Sequence, residues 1–115
     1  MKQSSIQIDV ALDENQVPSE ISWNATDTSA NAVKKASAMM LAFWDPADKT
    51  SLRIDLWTKE MMVDEMADFF YQTLMTMADS FQRATRQTEL VNDMKQFAKE
   101  FYSKFRAQEL KENKA

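Results

Sequence analysis

Apolar and polar residues alternate along the first half of the chain, and this two-residue period predicts β-strands. The first strand carries apolar residues at every second position: Ile6, Ile8, Val10 and Leu12. The second strand shows the same pattern: Ile21, Trp23 and Ala25. Pairing Leu12 with Ile21 sets apolar residues opposite one another, so we expect a hairpin closed by the turn-forming residues 13–19.

Two further strands, 38–44 and 51–58, flank a turn at 45–50 that contains a proline. If Asp45 pairs with Thr50, apolar residues again meet across the strands: Phe43 with Leu52, Leu41 with Ile54, and Met39 with Leu56. A register shifted by one residue would set Phe43 against Arg53. We therefore predict the first register and a second antiparallel hairpin.

After Lys59 the apolar residues recur every three to four positions, which predicts helices. The first helix is expected over 63–81 and the second over 90–105, with a break in the polar segment 82–88. Segment 27–37 is polar and alanine-rich, and we expect it to be a loop with at most one helical turn.

This order of elements predicts an α+β fold with two layers. A four-stranded antiparallel sheet of two hairpins is followed by two C-terminal helices, which are expected to pack on one sheet face. The length of 115 residues suits a single domain over 1–115. We expect an ordered core over about 4–107 and a charged C-terminal tail, 108–115, that frays.

The composition excludes many kinds of functional site, because the chain contains no glycine, histidine or cysteine. Phosphate-binding loops need glycine, imidazole-based triads need histidine, and thiolate chemistry needs cysteine. Carboxylates remain, and those near the predicted turns are typical of solvated acids: Asp9, Asp13, Glu14, Asp45 and Asp48. We therefore expect no enzyme, no cofactor and no metal site.

The charge balance bears on the kind of partner. The net charge is −4, which disfavours binding to nucleic acid, since a phosphate backbone attracts clustered positive charge. The longest mostly apolar run, 36–44, is far shorter than the ~20 residues that span a bilayer. The first residues form no signal-peptide pattern. From these features we expect a cytoplasmic protein without membrane insertion, whose partners are other proteins.

One face of the second hairpin is the most informative surface. In the predicted register it carries Met40, Ala42 and Trp44 beside Arg53, Asp55 and Trp57, and we call it the tryptophan face. The uncovered face of an antiparallel sheet is usually polar, whereas this one holds two tryptophans. It is either a protein interface, a homodimer contact included, or a surface covered by segment 27–37 or by the last helix. The candidate interface residues are Met40, Trp44, Arg53, Asp55 and Trp57.

Short segments along most of the chain carry a family resemblance. They include LDEN at 12–15, ISWNATD at 21–27, LRIDLWTK at 52–59, VDEM at 63–66 and MADSF at 77–81. Together these segments, within about 4–105, resemble the gliding-motility protein GldC family of Bacteroidetes. Two departures concern loop and cap geometry: Met62 stands where a proline is expected, and segment 27–37 lacks an expected glycine.

The resemblance implies a small cytoplasmic accessory protein of gliding motility without enzymatic activity. Its partners would be proteins of the gliding or secretion machinery, and a homo-oligomer is a further expectation. The family provides no catalytic or binding residues to transfer. The alternative is a chaperone similar to SecB, which also has four antiparallel strands followed by two helices and an acidic charge. A third hypothesis, a small-molecule carrier, would need a closed apolar pocket.

Overall fold

The computed structural model describes residues 2–26 and 32–113. Within them the chain forms five strands and two helices: β1 (Ile6–Leu12), β2 (Pro18–Ala25), β3 (Lys34–Ala36), β4 (Ala38–Asp45), β5 (Thr50–Trp57), α1 (Val63–Thr85) and α2 (Thr88–Asn113). The predicted α+β class is confirmed. The chain divides into two compact units, 1–61 with the strands and 62–115 with the helices.

The first hairpin forms in a register that differs from the predicted one by two residues. Ile21 pairs with Val10 instead of Leu12, and Leu12 pairs with Pro18 across a bulge. The reason is a tight turn. The Asp13 N–H donates to the Val17 carbonyl at 2.9 Å, and the Asp13 carboxylate accepts from the Val17 N–H at 3.0 Å. Because the shift is even, every side chain keeps its predicted face.

The third strand was not predicted. β3 pairs with β2 and completes an antiparallel sheet in the order β1-β2-β3. The loop expected over 27–37 is therefore wrong for 34–36, while 27–31 lie outside the described residues. A three-residue strand with the sequence Lys-Lys-Ala is too short to show an alternating pattern.

The second hairpin has the predicted register. Phe43 pairs with Leu52 and Asp45 pairs with Thr50, without a shift along the ladder. The Asp45 carboxylate stabilises the turn by accepting hydrogen bonds from the N–H groups of Ala47 at 2.9 Å and Asp48 at 3.3 Å. This side-chain cap explains why the turn closes at the predicted position.

Ser37 connects two separate sheets, where a single four-stranded sheet was expected. It lies between β3 and β4. The strand before it, β3, pairs with β2, and the strand after it, β4, pairs with β5. The Ser37 carbonyl accepts a hydrogen bond from the N–H of the buried Thr58 at 2.8 Å, which continues the β4–β5 ladder by one residue. The chain bends at Ser37, so that consecutive strands belong to different sheets: β3 to the three-stranded sheet and β4 to the two-stranded sheet.

The two helices form an antiparallel pair with the expected break. α1 begins where the Glu65 carboxylate accepts the Met62 N–H at 3.2 Å. It ends at Arg86, whose left-handed φ of 58° turns the chain. The break at 86–87 lies inside the predicted segment 82–88. α2 continues through 108–113, the part assigned to a fraying tail.

Contacts between the helices fix their pairing. The rings of Tyr71 and Tyr102 lie 4.8 Å apart, and Lys95 Nζ lies 2.9 Å from Asp79 Oδ1. The buried side chains of this unit are small: Ala67, Ala78, Val91 and Ala98. Within the described residues, neither helix contains a stretch both long and apolar enough to cross a membrane.

Candidate functional site

The structure places all five candidate interface residues on one face of the β4–β5 hairpin. Met40 pairs directly with Asp55, and Ala42 pairs with Arg53. Trp44 lies opposite Ser51 near the turn, and Trp57 lies opposite Ala38 at the other end. Since side chains alternate along each strand, the tryptophan face is one continuous surface.

The two tryptophans are the large exposed apolar side chains of this face. Trp44 exposes 65% of its surface and Trp57 exposes 55%, whereas Met40 is half-buried. An exposed tryptophan leaves a large apolar ring in contact with water, and a binding partner can cover it. The tryptophan face therefore has the composition of a binding surface, with aromatic groups at both ends.

A charged pair lies between the two tryptophans along the hairpin. The Arg53 guanidinium donates two hydrogen bonds to the Asp55 carboxylate, from Nε at 3.1 Å and from Nη2 at 2.8 Å. These hydrogen bonds, with the attraction between the charges, raise the pKa of Arg53. The bidentate geometry fixes the two side chains relative to each other and balances their charges.

The opposite face of the same hairpin is also apolar, and we call it the leucine face. Its members are Met39, Leu41, Phe43, Leu52, Ile54 and Leu56. Phe43 exposes 58% of its surface, Leu52 55% and Ile54 50%. The sequence analysis used these residues only to choose the register of the hairpin. The apolar pattern contains no signal for their exposure, because it predicted one four-stranded sheet. A face of only two strands cannot bury six apolar side chains without a further element.

A third apolar surface lies on α2. Phe97, Phe101 and Phe105 line a groove of about 250 Å³ together with Glu100, Lys104 and Gln108. The Phe97 and Phe101 ring centroids lie 6.4 Å apart. Sequence reasoning placed these phenylalanines on the apolar stripe of the helix and did not identify the groove, since periodicity alone does not show which part of a stripe is covered.

Two titratable groups outside these surfaces, those of Asp13 and Tyr102, have structural partners. Asp13 accepts from main-chain N–H groups of its turn and from Lys59 Nζ at 3.3 Å. The bond from Val17 is the main reason that the pKa of Asp13 is lowered. In the helical unit, the hydrogen bond with Asp68 raises the pKa of Tyr102. Among residues 2–26 and 32–113, no cluster of acidic side chains has an arrangement that could hold a metal ion.

Comparison with known proteins identifies the family. The family model described as gliding motility-associated protein GldC-like matches residues 18–107. This match covers most of the chain, so the chain belongs to the GldC-like family, and the resemblance seen in the sequence is confirmed. Searches of curated proteins and of solved structures found no significant match.

Proposed function

We propose that this member of the GldC-like family is a non-enzymatic, cytoplasmic accessory protein of bacterial gliding motility that acts by binding other proteins. The family description supports the process. The observation that carries the mode of action is the tryptophan face, with Trp44 and Trp57 exposed on either side of the Arg53–Asp55 pair.

The chemistry of the tryptophan face favours a protein as its ligand. Tryptophan, methionine and arginine are enriched at protein interfaces, and a few buried aromatic residues carry most of the binding free energy. The Arg53 guanidinium and the Asp55 carboxylate provide polar groups between the aromatic ones. We expect the partner, a component of the gliding or secretion machinery, to cover both indole rings.

Charge substitution at the two tryptophans tests this function. Cells of a gliding bacterium that lack the native protein would receive the wild type, the double variant Trp44→Glu/Trp57→Glu, or a control. Val33→Glu is a matched control, because it also replaces an exposed apolar residue of the strand unit, one that lies outside the tryptophan face. We expect the control to restore gliding and the double variant to fail.

Folding has to be separated from binding in this experiment. The double variant should keep a cooperative thermal transition, and its affinity purification should lose a machinery component that the wild type and Val33→Glu retain. A folded double variant that restores gliding as well as the wild type would overturn the proposal.

The chaperone alternative is favoured by a different observation, the exposure of apolar side chains on both faces of the β4–β5 hairpin. Such a surface suits unfolded clients of many sequences. A chaperone would suppress the aggregation of a heat-unfolded test protein such as citrate synthase. The accessory function predicts no suppression at equimolar ratio and one discrete partner in place of many clients.

A further inference from the structure

The outer edge of β5 carries main-chain groups without a ladder partner. In the described part of the chain β5 pairs only with β4. The bond from the Thr58 N–H to the Ser37 carbonyl sets the phase of this ladder. In an antiparallel pair, alternate residues bond to the neighbouring strand. Leu52, Ile54 and Leu56 therefore bond to β4, while Ser51, Arg53, Asp55 and Trp57 direct their N–H and C=O groups outward.

The charges along this edge are self-complementary. Arg53 and Asp55 flank Ile54 at equal distances along the strand. If a second β5 strand lies antiparallel with its Ile54 opposite this Ile54, Arg53 faces Asp55 of the partner subunit, and Asp55 faces Arg53 of the partner subunit. The outward main-chain groups of both strands meet in the same register, which pairs residues 51, 53, 55 and 57.

We propose that two copies of this chain associate through antiparallel pairing of their β5 strands, centred on Ile54. The product is a four-stranded sheet in the order β4-β5-β5-β4. On the leucine face, Leu52 meets Leu56 of the partner subunit and the two Ile54 side chains meet each other. A two-stranded sheet with apolar faces is marginal alone, and doubling it provides the missing strands.

Neighbouring registers are less favourable. Centring the pair on Arg53 or on Asp55 sets like charges directly opposite each other, which destabilises a sheet. Centring it on Leu56 sets Arg53 opposite Lys59 of the partner subunit. The register centred on Ile54 joins both pairs of opposite charges and uses the whole of β5.

This dimer goes beyond the proposed function and does not depend on it. Trp44 lies on β4, one strand away from the dimer edge. Trp44→Glu, which leaves the β5 edge unchanged, separates the two proposals: loss of gliding with an intact dimer contradicts neither, whereas a wild-type monomer that still binds its partner overturns the dimer alone.

Charge reversal tests the pairing. Wild-type protein should sediment at twice the 13.3 kDa chain mass. Arg53→Asp places two acids on each edge and Asp55→Arg places two bases, so each variant alone should weaken the dimer by about tenfold or more. An equimolar mixture of the two variants should form a heterodimer, because every edge charge then meets its opposite. The ion pair within one chain cannot produce this result.

Matched controls come from the turn of the same hairpin. Lys49→Asp and Asp48→Arg make the same two charge changes outside β5, and both should leave the dimer intact. A wild-type monomer, a mixture that stays monomeric, or equal weakening by the turn variants would each overturn the proposal.

A single cysteine tests the register independently, since the chain has none of its own. Ile54→Cys would place two thiols at the dimer axis, in a pair close enough for a disulfide. Oxidation should cross-link this variant, while Leu52→Cys, opposite Leu56 of the partner subunit, should cross-link much less. Equal cross-linking of both variants would contradict the register.

Discussion

Within residues 2–26 and 32–113, three residues adopt the left-handed backbone conformation that glycine usually occupies. They are Gln16 with φ 64°, Lys49 with φ 54° and Arg86 with φ 58°. Gln16 and Lys49 lie in the two hairpin turns, and Arg86 ends α1. Because the chain has no glycine, each position carries a residue that has a Cβ clash there. These positions could not be predicted from the sequence, because glutamine, lysine and arginine have no particular preference for a positive φ.

Arg86→Gly is expected to stabilise the protein by about 0.5–1 kcal/mol, because glycine removes the Cβ clash at positive φ. Chemical unfolding followed by circular dichroism measures the change. Ala84→Gly is the matched control, since Ala84 is an exposed residue within α1 without a positive φ, and glycine at a helical position lowers stability. Equal effects at both positions would contradict strain at Arg86.

Asp13 is expected to make stability depend on pH. The hydrogen bond from the Val17 N–H is the largest effect that lowers the pKa of its carboxylate. Asn15 and Lys59 lower this pKa further, while desolvation raises it. Because the pKa is lower in the folded state, the ionised carboxylate stabilises the folded protein at pH values above 3.8, the ordinary pKa. This contribution to stability is lost as the pH falls through the folded-state pKa.

Asp13→Asn should therefore lower the melting temperature at neutral pH. The difference in melting temperature between the variant and the wild type should become smaller in acid. Thermal melts between neutral pH and about pH 3 follow this difference. A difference in melting temperature that stays the same at every pH would show that titration of the Asp13 carboxylate does not affect stability.

At the scale of elements, turn chemistry decided which registers could be predicted. Both hairpins have matching apolar faces, yet only β4–β5 has the predicted register. In β1–β2 two registers differing by two residues match the faces equally well, and main-chain bonds around Asp13 select between them. Such bonds depend on backbone conformation, which the apolar pattern does not report.

The position of the candidate residues on a common face was predictable, because it depends only on the β4–β5 register, which was predicted correctly. Once Asp45 pairs with Thr50, alternation places Trp44 and Trp57 on one face. The exposure of Phe43 and Leu52 on the other face was not predictable, because it depends on the separation of the strands into two sheets at Ser37.

Packing of the helical pair is expected to be sensitive to side-chain volume. Ala98 has no exposed surface, so Ala98→Leu forces additional atoms into a filled space and should cost about 1–3 kcal/mol. Ala107→Leu, an exposed position of the same helix, should change stability little. Urea unfolding of both variants gives the comparison, and equal stability would show that space exists around Ala98.

For the whole molecule, the proposed dimer and the proposed partner binding are compatible. Pairing of β5 strands would place two tryptophan faces side by side on one four-stranded sheet, since paired residues share a face. A partner with two binding segments would then engage both copies and gain affinity through effective concentration. Because each chain has a net charge of −4, two copies repel each other. The attraction between the charges of the β5 edges has to overcome this repulsion.

The alternation of main-chain bonds along β5 has a consequence for the rate at which amide protons exchange with solvent. Leu52, Ile54 and Leu56 direct their N–H groups to β4, so their protons exchange only when the ladder opens. The protons of Arg53, Asp55 and Trp57 are accessible in a single copy and should exchange about tenfold faster or more. When exchange is measured by NMR at increasing protein concentration, we expect this two-residue period to disappear. The dimer then forms, and slow exchange extends to every residue of the strand.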